Sequence, residues 1–343
     1  MIGTILVPLD GSPLAQQGVY AACRVARETG AELLLLTAVP FSVHAGADER
    51  RKELAALAEA RQHLLYHQQA VAQTGITARI LLLPGDPIRA ILFAAENEGV
   101  GLISMATHGR SGLRQVLLGS VAAAVVRDTR LPILLSRVRE WPPLHKSTPY
   151  RRILIPLEGT PFAEAALRYS QAQGLGRAGE LLLLRAVKCA QIQAVGPMVP
   201  GEEIMSLYES AEQENARRLQ EADAYLRGLG ATHLQDQPYR MVVATDTPAS
   251  AIADTIERDC ADLVVLATHD RHGVDRLLHG SVAQAVLQHA KVPVLLLHGA
   301  SDATKLEVAA TNQQAEEPAP IDVRREQIVQ DQLGHVTVDS TRL

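Results

Sequence analysis

Ile5-Leu6-Val7-Pro8-Leu9-Asp10-Gly11-Ser12-Pro13 returns later in the chain as Ile153-Leu154-Ile155-Pro156-Leu157-Glu158-Gly159-Thr160-Pro161. A short β-branched and leucine run that ends in an acidic residue and glycine reads as a buried strand entering a turn. At the same offset of 148 positions, Glu32-Leu33-Leu34-Leu35-Leu36-Thr37-Ala38-Val39 returns as Glu180-Leu181-Leu182-Leu183-Leu184-Arg185-Ala186-Val187. Later blocks repeat at an offset of 161: Ala106-Thr107-His108-Gly109 as Ala267-Thr268-His269-Asp270, and Gly119-Ser120-Val121-Ala122 as Gly280-Ser281-Val282-Ala283. Leu131-Pro132-Ile133-Leu134-Leu135 likewise returns as Val292-Pro293-Val294-Leu295-Leu296. The second copy therefore carries 13 extra residues in its middle. A unit of about 140 residues is far longer than a solenoid repeat, so a whole domain has been duplicated.

Within the first copy, strands are expected near 3–9, 33–39, 77–83, 101–106 and 132–136, and helices near 13–29, 48–74, 87–98 and 119–129. Strands apolar on both faces and alternating with helices call for a parallel sheet covered on both sides. The expected fold class is α/β: two tandem doubly wound domains, each a mostly parallel five-stranded sheet with helices on both faces. The copies are placed at 1–138 and 150–298, with a Pro-rich linker at 139–149. The polar segment 299–343 is read as a largely disordered tail with at most a short helix around Val323–Leu333.

Composition narrows the function. Aliphatic residues must build the cores, because 47% of the chain is hydrophobic but only 3% aromatic. A net charge of −5 gives no basic field for nucleic acid or an anionic membrane. Cys23, Cys189 and Cys260 form no CxxC pair and suit a reducing compartment. The chain enters a strand pattern at once with no signal-peptide pattern, and its apolar runs fall far short of a membrane span. A soluble, cytoplasmic protein is expected.

Ligands of an open parallel sheet bind beyond the carboxyl ends of the strands, where the strand order reverses. Pro8-Leu9-Asp10-Gly11-Ser12 leaves the first strand, Val39-Pro40 the second, and Ala106-Thr107-His108-Gly109-Arg110 the fourth. The last runs on to Gly119-Ser120 at a helix start, where small residues and unbonded N–H groups suit phosphate oxygens. Each element alone has a plainer reading: Gly119-Ser120 as an N-cap, Gly11 as a turn residue, Asp10 as a cap.

Taken together, these motifs resemble the universal stress proteins over residues 1–137 and 150–298. The family's ATP-binding members carry a Gly-x2-Gly-x9-Gly-[Ser/Thr] phosphate loop; here the first copy reads Ala106-x2-Gly109-x9-Gly119-Ser120, with alanine in place of the first glycine. The resemblance implies ATP, with or without Mg2+, as the bound cofactor. It places Pro8, Asp10 and Val39 at the adenine and ribose, Met105 and Ala106 on the floor, and Gly109, Arg110, Gly119, Ser120 and Val121 at the phosphates. In the second copy Asp270 replaces Gly109 and Glu158 replaces Asp10, so a carboxylate would face the polyphosphate and weak or absent binding is expected.

The function implied is a regulatory ATP-binding protein of the stress response, with no catalytic residue assigned and no P-loop or nucleophile elbow present. Slow ATP hydrolysis and a nucleotide-free dimerisation scaffold are the alternatives. The x-Pro-Ile-Leu-Leu strands at 131–135 and 292–297 resemble the strand through which family members pair, which implies that the two copies pair within one chain; a homodimer beyond that is left open, and no protein partner is named. His63 and His67, four apart on the 48–74 helix, have metal-ligand spacing but no third ligand and are read as a solvated face. His269, His272 and His279 beside Asp270 are read as loop residues.

Overall fold

The computed structural model describes residues 1–42, 44–107, 118–137, 143–189, 201–268 and 281–298, without the side chains of 201–207 and 281. Gly109, Arg110, Asp270, the three loop histidines and the tail lie outside these residues.

The first copy runs β1 (Thr4–Pro8), α1 (Gln16–Thr29), β2 (Glu32–Val39), α2 (Ala47–Ala72), β3 (Ala78–Pro84), α3 (Pro87–Asn97), β4 (Val100–Ala106), α4 (Ser120–Asp128) and β5 (Ile133–Ser136). The second repeats it as β6 (Arg152–Pro156), α5 (Pro161–Gln173), β7 (Glu180–Ala186), α6 (Gly201–His233), β8 (Tyr239–Ala244), α7 (Pro248–Arg258), β9 (Leu263–Thr268), α8 (Ser281–His289) and β10 (Val294–His298). Part of the second copy's extra length falls in α6, which has 33 residues against 26 in α2. The helix expected from residue 13 begins at Gln16. Residues 12–15 form a tighter turn, in which Ala15 N–H donates to the Ser12 carbonyl and to Ser12 Oγ, both at 3.2 Å.

The ten strands form one sheet in the order β3-β2-β1-β4-β5-β10-β9-β6-β7-β8. Every neighbouring pair is parallel except β5 and β10, which join the two copies antiparallel. Leu134 stands opposite Leu295, with Leu135 against Val294 and Ile133 against Leu296. Because Leu295 is the repeat counterpart of Leu134, a pseudo-twofold axis passes through this pair. The pleat sends alternate residues to opposite faces. Leu134 and Leu295 enter a core with α1, α2, α5 and α6, whereas Ile133, Leu135, Val294 and Leu296 enter one with α3, α4, α7 and α8. Both cores run across both copies.

Helix ends tie the copies together a second time. Tyr150 N–H donates to Glu28 Oε1 at 2.8 Å and Ile2 N–H donates to Gln173 Oε1 at 2.6 Å. Ile2 and Tyr150 are repeat counterparts, so each copy's first backbone amide is held by the other copy's helix. Arg24 adds a contact on one side only. It pairs with Asp262, donates to the Thr148 carbonyl at 2.9 Å and lies 3.8 Å above the Tyr150 ring. The counterpart positions are Ala172 and Gly101, which carry no charge.

Burial pushes Glu28 up to about 7, outweighing the Gly176 and Tyr150 N–H groups that favour its ionised form. Its folded value lies above its unfolded one, so its contribution is fully present below about pH 4.5 and is lost as pH rises through 7. Urea unfolding at stepped pH should therefore show the stability advantage of the wild type over Glu28→Gln shrinking from pH 4.5 to 8; a constant gap would refute it. Cys260 sits at φ 51 where the first copy has Gly99 at φ 65. A side chain in this left-handed region is strained, so Cys260→Gly should raise stability by about 1 kcal/mol in urea unfolding, an unchanged midpoint counting against it.

Candidate nucleotide cleft

The strand order reverses between β1 and β4, and a cleft of about 1440 Å3 opens over their carboxyl ends. Its parts are set by local backbone chemistry. After Pro8 the chain turns at Gly11, whose φ of 82 favours glycine. Ser12 N–H donates to Asp10 Oδ1 at 2.9 Å, which fixes the aspartate side chain against its own turn. Thr37 Oγ1 donates to the Leu9 carbonyl at 3.0 Å, closing the floor between the ends of β1 and β2. Gly85 N–H donates to the Val39 carbonyl at 2.8 Å and brings the β3 end alongside.

Met105 reaches the floor because α1 lies very close to β4. A Cβ on Gly18 would meet the Ser104 carbonyl oxygen at 3.0 Å and Met105 Cα at 3.1 Å, so only glycine fits without movement. Ser104 Oγ donates to the Gly18 carbonyl at 2.8 Å across the same approach. Beyond β4, Gly119 N–H donates to the Thr107 carbonyl at 2.6 Å and sets the start of α4 beside the strand end. Gly119 is the N-cap of α4 and has no side chain to cap it; the first turn holds no acidic residue. The helix therefore presents its positive end, with Ser120, Val121 and Ala122, to the cleft.

Eight of the ten residues named from sequence line this one cleft: Pro8, Asp10, Val39, Met105, Ala106, Gly119, Ser120 and Val121. Gly109 and Arg110 lie outside the described residues.

Sequence reasoning missed the α2 wall. Ala56, Glu59, Ala60, His63 and Tyr66 face the cleft at helical spacing, a signal that marks a face without saying what it meets. The solvated reading of His63 and His67 is corrected: His63 is half-buried in the wall and His67 is buried behind it. Their Nε2 atoms lie 3.1 Å apart, and among the described residues no cluster of three metal-binding side chains exists. Burial first, and His63 second, lower His67 to about 4, so it is neutral at pH 7.

The geometry is matched by sequence comparison. The profile described as Universal stress protein family matches residues 1–137 and again 149–298. The chain belongs to the universal stress protein family. Universal stress protein Mb2019 of Mycobacterium bovis is 23% identical over 317 residues, covering 85% of this chain and 94% of the relative. Universal stress protein Mb2028c of the same species is 27% identical over 195 residues, 57% of this chain and 61% of the relative. Against this second relative, the chain spans about three-fifths of its length. The crystal structure of a universal stress protein from Archaeoglobus fulgidus superposes with a TM-score of 0.60 at 21% identity, covering 86% of this chain and 98% of that one, which shows the shared fold.

The His67 value has a measurable consequence for this universal stress protein. A histidine depressed by folding contributes stability that is present above pH 6.5 and lost as pH falls through 4. Thermal unfolding should show the wild type losing on the order of 2 kcal/mol more than His67→Gln between pH 7 and 4.5. Parallel pH profiles for the two proteins would contradict the burial argument.

Proposed function

We propose that the first cleft holds ATP and that the chain is a regulatory nucleotide-binding protein of the stress response, acting by binding rather than by turnover. The observation that carries this reading is the convergence of three strand ends and an uncapped helix start on one cleft at the point of strand-order reversal. Asp10, Val39 and Pro8 take the adenine and ribose. Met105 and Ala106 form the floor, and Gly119, Ser120 and Val121 meet the phosphates, joined by Gly109 and Arg110.

The electrostatics fit this division. The described lining carries carboxylates at Asp10 and Glu59 and no lysine or arginine, so a polyphosphate belongs at the positive start of α4. The segment between β4 and α4 brings Arg110 and Arg114 in sequence. Mg2+ would be held by the phosphates; among the described residues no group of three or more His, Cys, Asp or Glu side chains could hold a metal ion.

β5 and β10 pair with each other, so neither of these strands is left to pair with a second copy. Among the described residues no helix is long and apolar enough to cross a membrane, in line with a proposed cytoplasmic site of action.

Isothermal titration with ATP and with adenosine tests the assignment. Ser120→Asp sets a carboxylate at the helix start and should weaken ATP at least tenfold, about 1.4 kcal/mol, while sparing adenosine. Asp10→Ala should weaken both ligands. A wild-type protein that binds neither would overturn the nucleotide reading, and rapid ATP turnover would overturn the regulatory one.

A further inference from the structure

The two copies differ at a residue that belongs to neither phosphate loop. Thr37 in β2 has Arg185 in β7 as its repeat counterpart. In the first copy Thr37 Oγ1 donates to the Leu9 carbonyl at 3.0 Å; in the second, Arg185 Nη1 donates to the equivalent Leu157 carbonyl at 3.2 Å. The bond is the same but the donor is four heavy atoms longer and carries a charged plane. That plane lies over the turn after β6. A Cβ on Gly159, the counterpart of Gly11, would meet both terminal guanidinium nitrogens of Arg185 at 3.2 Å. In the first copy, Gly11 and Thr37 both line the open cleft.

The guanidinium is held there from above. Its carbon lies 5.7 Å from the centre of the Tyr225 ring on α6, the helix that takes the place of α2. The Tyr225 hydroxyl donates to Glu164 Oε1 at 3.0 Å. Arg185, Tyr225 and Glu164 thus link the β6 turn, α5 and α6 across the place where Asp10, Gly11, Thr37 and the α2 wall frame the first cleft.

We infer that Arg185 fills the nucleoside end of the second cleft, so that the chain carries one nucleotide site and Arg185 is the residue that decides this. The inference rests on the reading of the first cleft as a nucleotide site. It differs from the charge repulsion at Asp270, which acts on the phosphates: occlusion by Arg185 excludes the base and ribose whatever the phosphate loop contains. Removing the Asp270 charge alone therefore leaves the second cleft closed.

Native mass spectrometry with MgATP counts the sites. The expected stoichiometries are one for the wild type, one for Asp270→Gly, and two for the Arg185→Thr/Asp270→Gly double variant. The reciprocal Thr37→Arg, which builds the same obstruction in the first copy, should lose ATP altogether; circular dichroism melts confirm folding of each variant. Two nucleotides on the wild type or on Asp270→Gly would overturn the inference, as would a double variant gaining none or Thr37→Arg retaining ATP. A wild type with no nucleotide would sink the first-cleft reading instead, and the gain of one site by the double variant would still report Arg185 as the obstruction.

Discussion

The antiparallel contact of β5 with β10 is the constraint on which the rest of the molecule depends. All four residues of β5 are buried, and Leu134 is fully so. An apolar strand of this kind at a sheet edge would expose both its side chains and a row of unpaired backbone groups. Covalent linkage to a second copy supplies the covering strand within the chain and removes the association cost that a separate subunit would carry. With Leu134 facing Leu295 on the pseudo-axis, the contact is self-complementary in the way of a twofold dimer interface. It also joins the two helix layers into cores that span both copies.

This arrangement separates stability from binding. The features that hold the sheet together recur in both copies: the apolar strands, the edge pair, and the first backbone amide of each copy captured by the other's helix. The cleft features recur only in part. Gly119 and Ser120 have counterparts in Gly280 and Ser281, but Thr37 has become Arg185 and Asp10 has become Glu158. The one-sided Arg24–Asp262 pair belongs to the same pattern: a side chain 11% exposed, stacked on Tyr150, at a place whose counterpart needs no charge. Once two copies share their cores, each can diverge wherever the change leaves the shared surfaces alone.

Much of this was legible from the chain itself, for definite reasons. Strands such as Leu33–Leu36 are apolar on both faces because the sheet is covered on both sides, so their runs stand out without ambiguity. The ends of β1, β2 and β4 are marked by Pro8, Pro40 and the Ala106-Thr107 step, and the parallel topology obliges them to converge. The α2 wall was not legible in this way. Ala56, Glu59 and His63 mark one face of a helix of mixed polarity, and whether that face meets solvent or a cleft depends on how α2 lies across the sheet. His67 shows the cost of reading polarity alone: a histidine four residues from another looked solvated, yet it is buried. The Thr37 to Arg185 change was visible in the repeat from the start, but its meaning lay in the pleat, which turns that position toward the cleft.

The Leu9 and Leu157 carbonyls explain how such a change is tolerated. A carbonyl near the end of a parallel strand needs a donor, and leaving it unsatisfied when buried costs roughly 1–3 kcal/mol. Threonine and arginine both meet that need from the same position on the neighbouring strand, so the fold is nearly indifferent to which one is present. The space above the carbonyl is not indifferent. A threonine stops at the strand surface and leaves the cleft open, whereas the arginine continues to the Gly159 turn and finds Tyr225 waiting on a longer helix. The backbone requirement is met identically in the two copies, and the occupancy of the cleft follows from what lies beyond the hydrogen bond.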